Sequence, residues 1–307
     1  MKQKPWLPGI AKCLGEGELL PNAPMSSRCT IRAGGQAAAL CKPRSKESLV
    51  AVLRFLHKEG VDFFTLGKGA NLLVGDKGYD GVVLSLGDMP VEEKVQLFEN
   101  RGELTLSAGQ SISRLLSVGF SHGLVGAEFL SGIPGTLGGA CAMNAGTPAG
   151  ECMSLVLAVE LATAEGVGWV EARHIGHVYR HTQLPPGSVV VGLCCALPKG
   201  DTALSKEALR KDLLRRKEAQ PLELPSFGSA FKNPEGKYAG QLIESVGLKG
   251  EICGGAQIST KHANWIVNLG GATARDIFTL MEMATARVQT QHGIGLVPEV
   301  KLMGVFE

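Results

Sequence analysis

The sequence predicts an α+β protein with two functional parts, divided near residue 205. Three observations carry this. The first 200 residues alternate helical and strand patterns, with strands predominating late. A strongly charged helical run over 204–219 is then closed by Pro221 and Pro225. The last 80 or so residues again mix both patterns, as loop, helix, strand, long helix and strand.

In chain order, residues 1–30 read as an N-terminal lead. Residues 45–60 come next as a helix, with Leu49, Val52, Leu53 and Leu56 on one face, Ser45 as N-cap and Gly60 as the stop. "VDFFTL" (61–66), "GVVLSL" (81–86) and "ELTLSAG" (103–109) read as strands. Residues 111–120 read as a short helix closed by Gly123, and 126–150 as glycine-rich and irregular. Strands are expected at 154–162, 168–172 and 188–198. The charged helix 204–219 carries Leu204, Leu209, Leu213 and Leu214 as its apolar positions. Beyond it come a helix at 239–246, the strand "NWIVNLG", a helix at 273–291 with Asp276 suited to its N-terminal dipole, and a final strand "VPEVKLMG" interrupted by Glu299.

Composition narrows the function. A hydrophobic fraction of 44% with 20% charged residues is that of an ordinary globular protein with a full core. The formal charge of +2 argues against a dedicated nucleic-acid surface, while leaving room for a basic pocket for an anion. None of the eight cysteines has C-x-x-C spacing, so buried, reduced thiols are expected over metal or redox work. The N-terminus lacks an apolar signal region and no 18-residue apolar span occurs, so a cytoplasmic location is expected.

Two glycine clusters are the strongest local signals: "LGKGANLLVGDKG" (66–78) and "SGIPGTLGGACAMNAG" (131–146). Runs of glycine bare backbone N–H groups, and such a surface can cradle a pyrophosphate without fixed positive charge. Tight turns in a β-rich domain are the plain alternative for either cluster, but two in one domain favour a dinucleotide. Gly67-x-Gly69 lacks the third glycine of a Rossmann fingerprint, and no G-K-[ST] ending marks a P-loop. Arg180, after a short strand, and Glu299 read by default as solvated charges. Lys249, Lys261 and His262 are candidates to meet a phosphate. Ser229, in "FGSAFKNPEG" (227–236), has no histidine nearby in sequence to activate it as a nucleophile.

Taken together, the chain resembles the UDP-N-acetylenolpyruvoylglucosamine reductase family (UDP-N-acetylmuramate dehydrogenase, MurB). The resemblance rests on eight runs in collinear order over 30–304: "TIRAGGQA", "LGKGANLLVGDKGYDGVVLSL", "GIPGTLGGACAMNAG", "YRHT", "QPLELPSFGSAFKNP", "AGQLIESVGLKG", "GGAQISTKHANWIVNLGGATARDI" and "GIGLVPEVKLMG". It implies a two-lobed FAD-binding region of the vanillyl-alcohol-oxidase (PCMH) type over 31–200, with lobes of about 31–87 and 88–200. A C-terminal α+β substrate-binding domain over 205–307 would follow. It also implies NADPH as reductant and the enolpyruvyl ether of UDP-N-acetylglucosamine as the group reduced, in peptidoglycan precursor synthesis.

Carried over position by position, the resemblance makes Arg180, Ser229 and Glu299 catalytic, with Ser229 the proton donor. Cofactor contacts fall at Gly67, Lys68, Gly69, Ala70, Asn71 and Leu72, and at Ser131, Gly132, Ile133, Pro134, Gly135, Gly138 and Gly139. Tyr179, Lys232, Asn233, Lys249, Lys261 and His262 fall in substrate-binding segments. Ala70 stands where the family commonly has serine, and Thr182 where serine is commoner. "NAGTPAGE" (144–151) lacks a frequent tyrosine, which points to the subgroup without the extra tyrosine-bearing loop. No histidine lies between Leu66 and Gly81, so the FAD is expected to be non-covalent.

Overall fold

A computed structural model of the chain describes residues 4–306. Its contacts divide it into two compact units, each assembled from separate stretches of chain. The first comprises Met1–Pro21, Ala39–Gly67 and Gly81–Leu213; the second comprises Asn22–Ala38, Lys68–Asp80 and Leu214–Glu307. The division therefore falls inside the charged helix, Thr202–Ala219. It also places the first glycine cluster, beyond Gly67, in the same unit as the C-terminal residues.

In the first unit, a five-stranded antiparallel sheet has the order Val167–Glu171, Val156–Ala162, Val189–Pro198, Arg101–Ser107, Glu93–Leu97. Alternation along Arg101–Ser107 buries Leu104 and Leu106 and turns Glu103, Thr105 and Ser107 outward. That is the pattern of a sheet covered on one face only. The covered face packs Val159, Leu161, Leu193 and Leu197 against the helix Ile112–Ser121. A second core forms beneath the helix Lys46–Glu59, which has the expected Ser45 cap and ends at Gly60 in a left-handed conformation.

The stretch expected as a lead is not bare. It carries the helix Leu7–Leu14 and the strand Glu18–Pro24. Ile10 and Leu14 are fully buried, and a side chain at Gly9 would strike the Phe55 ring. A helix of two turns, with a proline in its first turn, is too short to display a clear apolar period.

The helix Thr202–Ala219 buries no side chain, and Leu204 is 70% exposed. The four leucines expected to form its apolar positions scatter around the axis at 100° per residue and make no stripe. Charge pairing of Glu207 with Arg210 and Lys211 accompanies it instead.

One ion cluster supports the first unit. Lys46 Nζ lies 2.9 Å from Glu160 and 3.0 Å from Glu92, and Glu160 is buried. Burial draws the Lys46 pKa down, but the hydrogen bonds to both carboxylates outweigh it and leave it raised. Lys46→Met strands Glu160 and is expected to cost about 2 kcal/mol, below the ~3–5 of a fully buried pair because water reaches part of this one. A lysine with a raised folded pKa contributes its full stabilisation below the ordinary lysine range and loses it as pH climbs through the raised value. Thermal melts should therefore show the full deficit at neutral pH and a shrinking one in strong alkali.

In the second unit, the strands Ser226–Ser229, Trp265–Asn268, Ala256–Ile258 and Ile252–Cys253 form an antiparallel sheet. The helix Ala274–His292 packs beside it, started by a reciprocal cap between Thr273 and Asp276. Asp76, from the first glycine cluster, accepts from the amides of Ala274 and Arg275 at 2.9 and 2.8 Å. Lys301–Met303 pairs in parallel with Leu72–Val74. The final strand is therefore shorter than "VPEVKLMG" suggested. Pro298 has no amide to donate, and regular pairing begins only at Lys301.

Candidate active site

Ser229 ends the strand Ser226–Ser229 between two deep anchors. Phe227 and Phe231 are among the largest fully buried side chains, while Ser229 itself is half-buried. Gly228 has φ 80°, a conformation that costs glycine nothing, and this turns the chain between the anchors. Asn264, buried, then clamps Ala230 and Phe231. Its Oδ1 accepts from Phe231 N at 3.0 Å, its Nδ2 donates to Phe231 O at 2.8 Å, and its carbonyl accepts from Ala230 N.

The same short run holds Glu299. The amide of Glu299 donates to Ala230 O at 2.8 Å, and that of Lys232 donates to Val297 O at 2.8 Å. Phe231 and Pro298 form the bridge between these two bonds. Glu299 is thus set one residue away from Ser229 by backbone pairing. It lies on an extended stretch before the last strand, not within it. On its other side, Asn71 Nδ2 donates to the Glu299 carbonyl at 3.1 Å, and Lys301 N donates to Asn71 O at 3.1 Å.

The first glycine cluster is shaped by close backbone approach. A side-chain carbon at Gly69, Gly75 or Gly78 would lie about 2 Å from the carbonyl oxygen of Arg28, Val305 or Gln36, respectively. Gly69 and Gly78 also have positive φ. At the head of this loop the amides of Lys68, Gly69, Ala70 and Asn71 donate to no acceptor among the described residues. Four consecutive unspent donors make a nest suited to a pyrophosphate. Thr30 Oγ1 braces this loop, reaching Gly69 O at 3.3 Å and Ser226 O at 2.6 Å.

The second cluster is less open than its glycines suggested. It follows the turn Glu128–Leu130 and is partly ordered as the helix Leu137–Ala142. The amides of Ser131, Ile133, Leu137 and Gly138 all donate to protein carbonyls, and that of Gly139 to Thr136 Oγ1. A side chain at Gly138 would meet Ala108 at 2.9 Å, so this glycine serves packing. Gly135, with φ 156°, meets only an Ile112 methyl at 3.8 Å, leaving open space where a ligand could approach the backbone. Gly67, still in the first unit, packs against the second cluster, since a side chain there would meet Thr136 Oγ1 at 2.6 Å.

Arg180 occupies the turn of a hairpin between His177–Val178 and His181–Thr182. Its φ is 59°, a strained backbone for arginine. Its guanidinium lies 4.6 Å from the centre of the Tyr179 ring and donates through Nη2 to Gly146 O at 2.7 Å. Asn144, fully buried, ties the hairpin down by donating to Val178 O and Glu151 and accepting from Met153 N.

The remaining sequence candidates are dispersed over the second unit. Asn233 Oδ1 accepts from Ala239 N at 3.0 Å and so opens the helix Ala239–Ser245. Lys249 pairs with Glu244 and Lys261 with Glu223. His262 sits behind Gly240, and its pKa is lowered, chiefly by burial. Its Nδ1 accepts from Asn264 N at 3.2 Å, which leaves Nε2–H as a donor.

The cysteines are free, and five of the eight are buried. Burial pushes the thiols of Cys141 and Cys195 up to about 12, so they are inert at neutral pH. Sequence reading missed Asn264, Asn144 and Thr30. For Asn144 the available signal was an asparagine inside an otherwise apolar run, which must have its amide satisfied when buried; Asn264 and Thr30 carried no such signal.

Two family models match the chain. An FAD binding domain matches residues 37–169, and the C-terminal domain of UDP-N-acetylenolpyruvoylglucosamine reductase matches 220–303. A UDP-N-acetylenolpyruvoylglucosamine reductase of Myxococcus xanthus is 51% identical over 95% of this chain and 94% of its own length. One from Moorella thermoacetica is 42% identical over 94% of each. The crystal structure of the MurB reductase from Thermus caldophilus aligns with a TM-score of 0.77 at 32% identity, covering 94% of this chain and 99% of that one. The chain belongs to the UDP-N-acetylenolpyruvoylglucosamine reductase family.

Proposed function

We propose that Ser229, Glu299 and Arg180 carry out the chain's part in reducing the enolpyruvyl ether of UDP-N-acetylglucosamine to UDP-N-acetylmuramate. The protein is an FAD-dependent reductase of peptidoglycan precursor synthesis with NADPH as reductant. The observation that supports the residue assignment best is the backbone pairing that fixes Ser229 one residue from the partner of Glu299.

When bound, FAD would supply the hydride that adds to the β-carbon of the double bond, with NADPH as its reductant. The free donors of Lys68, Gly69, Ala70 and Asn71 fit its pyrophosphate, with Gly67, Leu72, Ser131–Pro134 and Gly135 as further contacts. Gly138 and Gly139 shape that region. Hydride addition leaves negative charge on the α-carbon and its carboxylate, an enolate-like state. Arg180 stabilises that charge with fixed donors, and Glu299 polarises the same carboxylate as an acid or through water. Ser229 gives the α-carbon its proton. A hydroxyl suffices because a carbanionic enolate is a strong base. Tyr179, Lys232, Asn233, Lys249, Lys261 and His262 bind the nucleotide sugar, with His262 Nε2–H and the lysines as candidates for the diphosphate.

The family models over 37–169 and 220–303 support reading 31–200 as cofactor-binding and 205–307 as substrate-binding. We also assign the chain to the subgroup without the extra tyrosine loop, on the sequence of 144–151. No helix among the described residues is long and apolar enough to cross a membrane. We place the reaction in the cytoplasm, where thiols such as these stay reduced. Anaerobic stopped-flow of the two half-reactions tests the assignment. NADPH should bleach the flavin, and the enolpyruvyl substrate alone should restore its colour. Reoxidation indifferent to that substrate would sink the reading.

A further inference from the structure

We infer that the side chain of Asn71 is a positioning residue for Glu299, although it lies in a loop whose backbone faces the cofactor. The inference rests on the role proposed above for Glu299. The parallel pairing of Leu72–Val74 with Lys301–Met303 stops just short of Glu299. Asn71 extends it by two bonds. Its main-chain carbonyl accepts from Lys301 N, and its Nδ2 donates to Glu299 O.

The Glu299 amide is bonded to Ala230 O on the opposite side. The Glu299 peptide is therefore gripped at both ends, by the serine-bearing strand and by the glycine loop. Small errors in placing a reacting group cost rate steeply. The half-buried Asn71 side chain is therefore better explained by Glu299 than by the pyrophosphate, which its own amide N–H can serve.

Asn71→Asp tests this, because it keeps the shape and the main-chain bond to Lys301 but sets a carboxylate against the Glu299 carbonyl. Asn71→Ala, which introduces no charge, serves as the second variant should Asn71→Asp fold poorly. Asn71→Ala keeps the main-chain N–H that faces the pyrophosphate and should bind flavin nearly as the parent does, whereas the added carboxylate of Asn71→Asp beside that nest should weaken flavin binding, so its rates are read per bound flavin. Flavin reduction by NADPH should stay at the wild-type rate. Reoxidation by the enolpyruvyl substrate should slow by roughly ten- to a hundredfold. Hydrogen exchange at the Glu299 amide should quicken. The pH profile of reoxidation should change in the limb that Glu299→Gln removes, whereas a merely structural defect would lower the rate equally at every pH.

Weaker flavin binding with a normal reoxidation rate per bound flavin would overturn the inference and return the side chain to the cofactor. Unchanged exchange and unchanged reoxidation would overturn it as well. If Glu299→Gln itself reoxidises normally, the assigned role of Glu299 fails and the inference falls with it. If Glu299→Gln is slow but Asn71→Asp is not, only the inference fails.

Discussion

Ser229→Ala should leave flavin reduction by NADPH unchanged and slow flavin reoxidation by the enolpyruvyl substrate by roughly a hundred- to ten-thousandfold, the range of a lost general acid. The strand that carries Ser229 does not depend on its hydroxyl. Phe227 and Phe231 are buried on either side, and Asn264 clamps the backbone beyond it. The variant should therefore melt within about 0.5 kcal/mol of the parent, as surface substitutions usually do. Ser229→Cys retains an acidic hydrogen at nearly the same place and should recover part of the reoxidation rate. Measured under anaerobic conditions, the two half-reactions separate a proton donor from a binding residue. Equal loss in both would contradict the donor role.

The sequence made some of this site legible and hid the rest for physical reasons. Helices with a cap and a stripe, such as Lys46–Glu59 and Ala274–His292, were readable almost to the residue because local chemistry decides where they start and stop. The helix Thr202–Ala219 was readable as a helix, but not in the fate of its leucines: Leu204, Leu213 and Leu214 are exposed while Leu209 rests half-buried against the first unit's core, and pattern alone cannot show where a partner lies. The glycine clusters were legible as places of close approach, yet not in what approaches. Gly69, Gly75 and Gly78 yield to neighbouring backbone, and the amides of 68–71 are left for a ligand.

The long-range bonds were the least legible. Asn71 lies 228 residues from the carbonyl it holds, and Thr30 lies 196 from Ser226. No periodicity encodes such pairs. Nor could the chain order show that 22–38 and 68–80 share a compact unit with the C-terminal residues.

Arg180 offers the second large effect, and its backbone makes the test unusually clean. A left-handed φ of 59° at arginine costs on the order of 1 kcal/mol, a cost that glycine would avoid. Were Arg180 present only to close the hairpin, Arg180→Gly would be the better turn. The guanidinium instead rests on Tyr179 and on Gly146 O. Strain retained beneath a fixed cation is what a preorganised charge-stabilising group requires. Arg180→Gly should therefore melt no lower than the parent, to within about 1 kcal/mol, since relief of strain offsets the lost Gly146 bond. Its reoxidation by substrate should fall by roughly a hundred- to a thousandfold, the loss expected for one oxyanion donor. Arg180→Lys keeps the charge but not the planar fork of donors, so it should lie between the two. A glycine variant that melts no earlier than the parent and still reoxidises at the parent rate would make Arg180 a turn residue and nothing more.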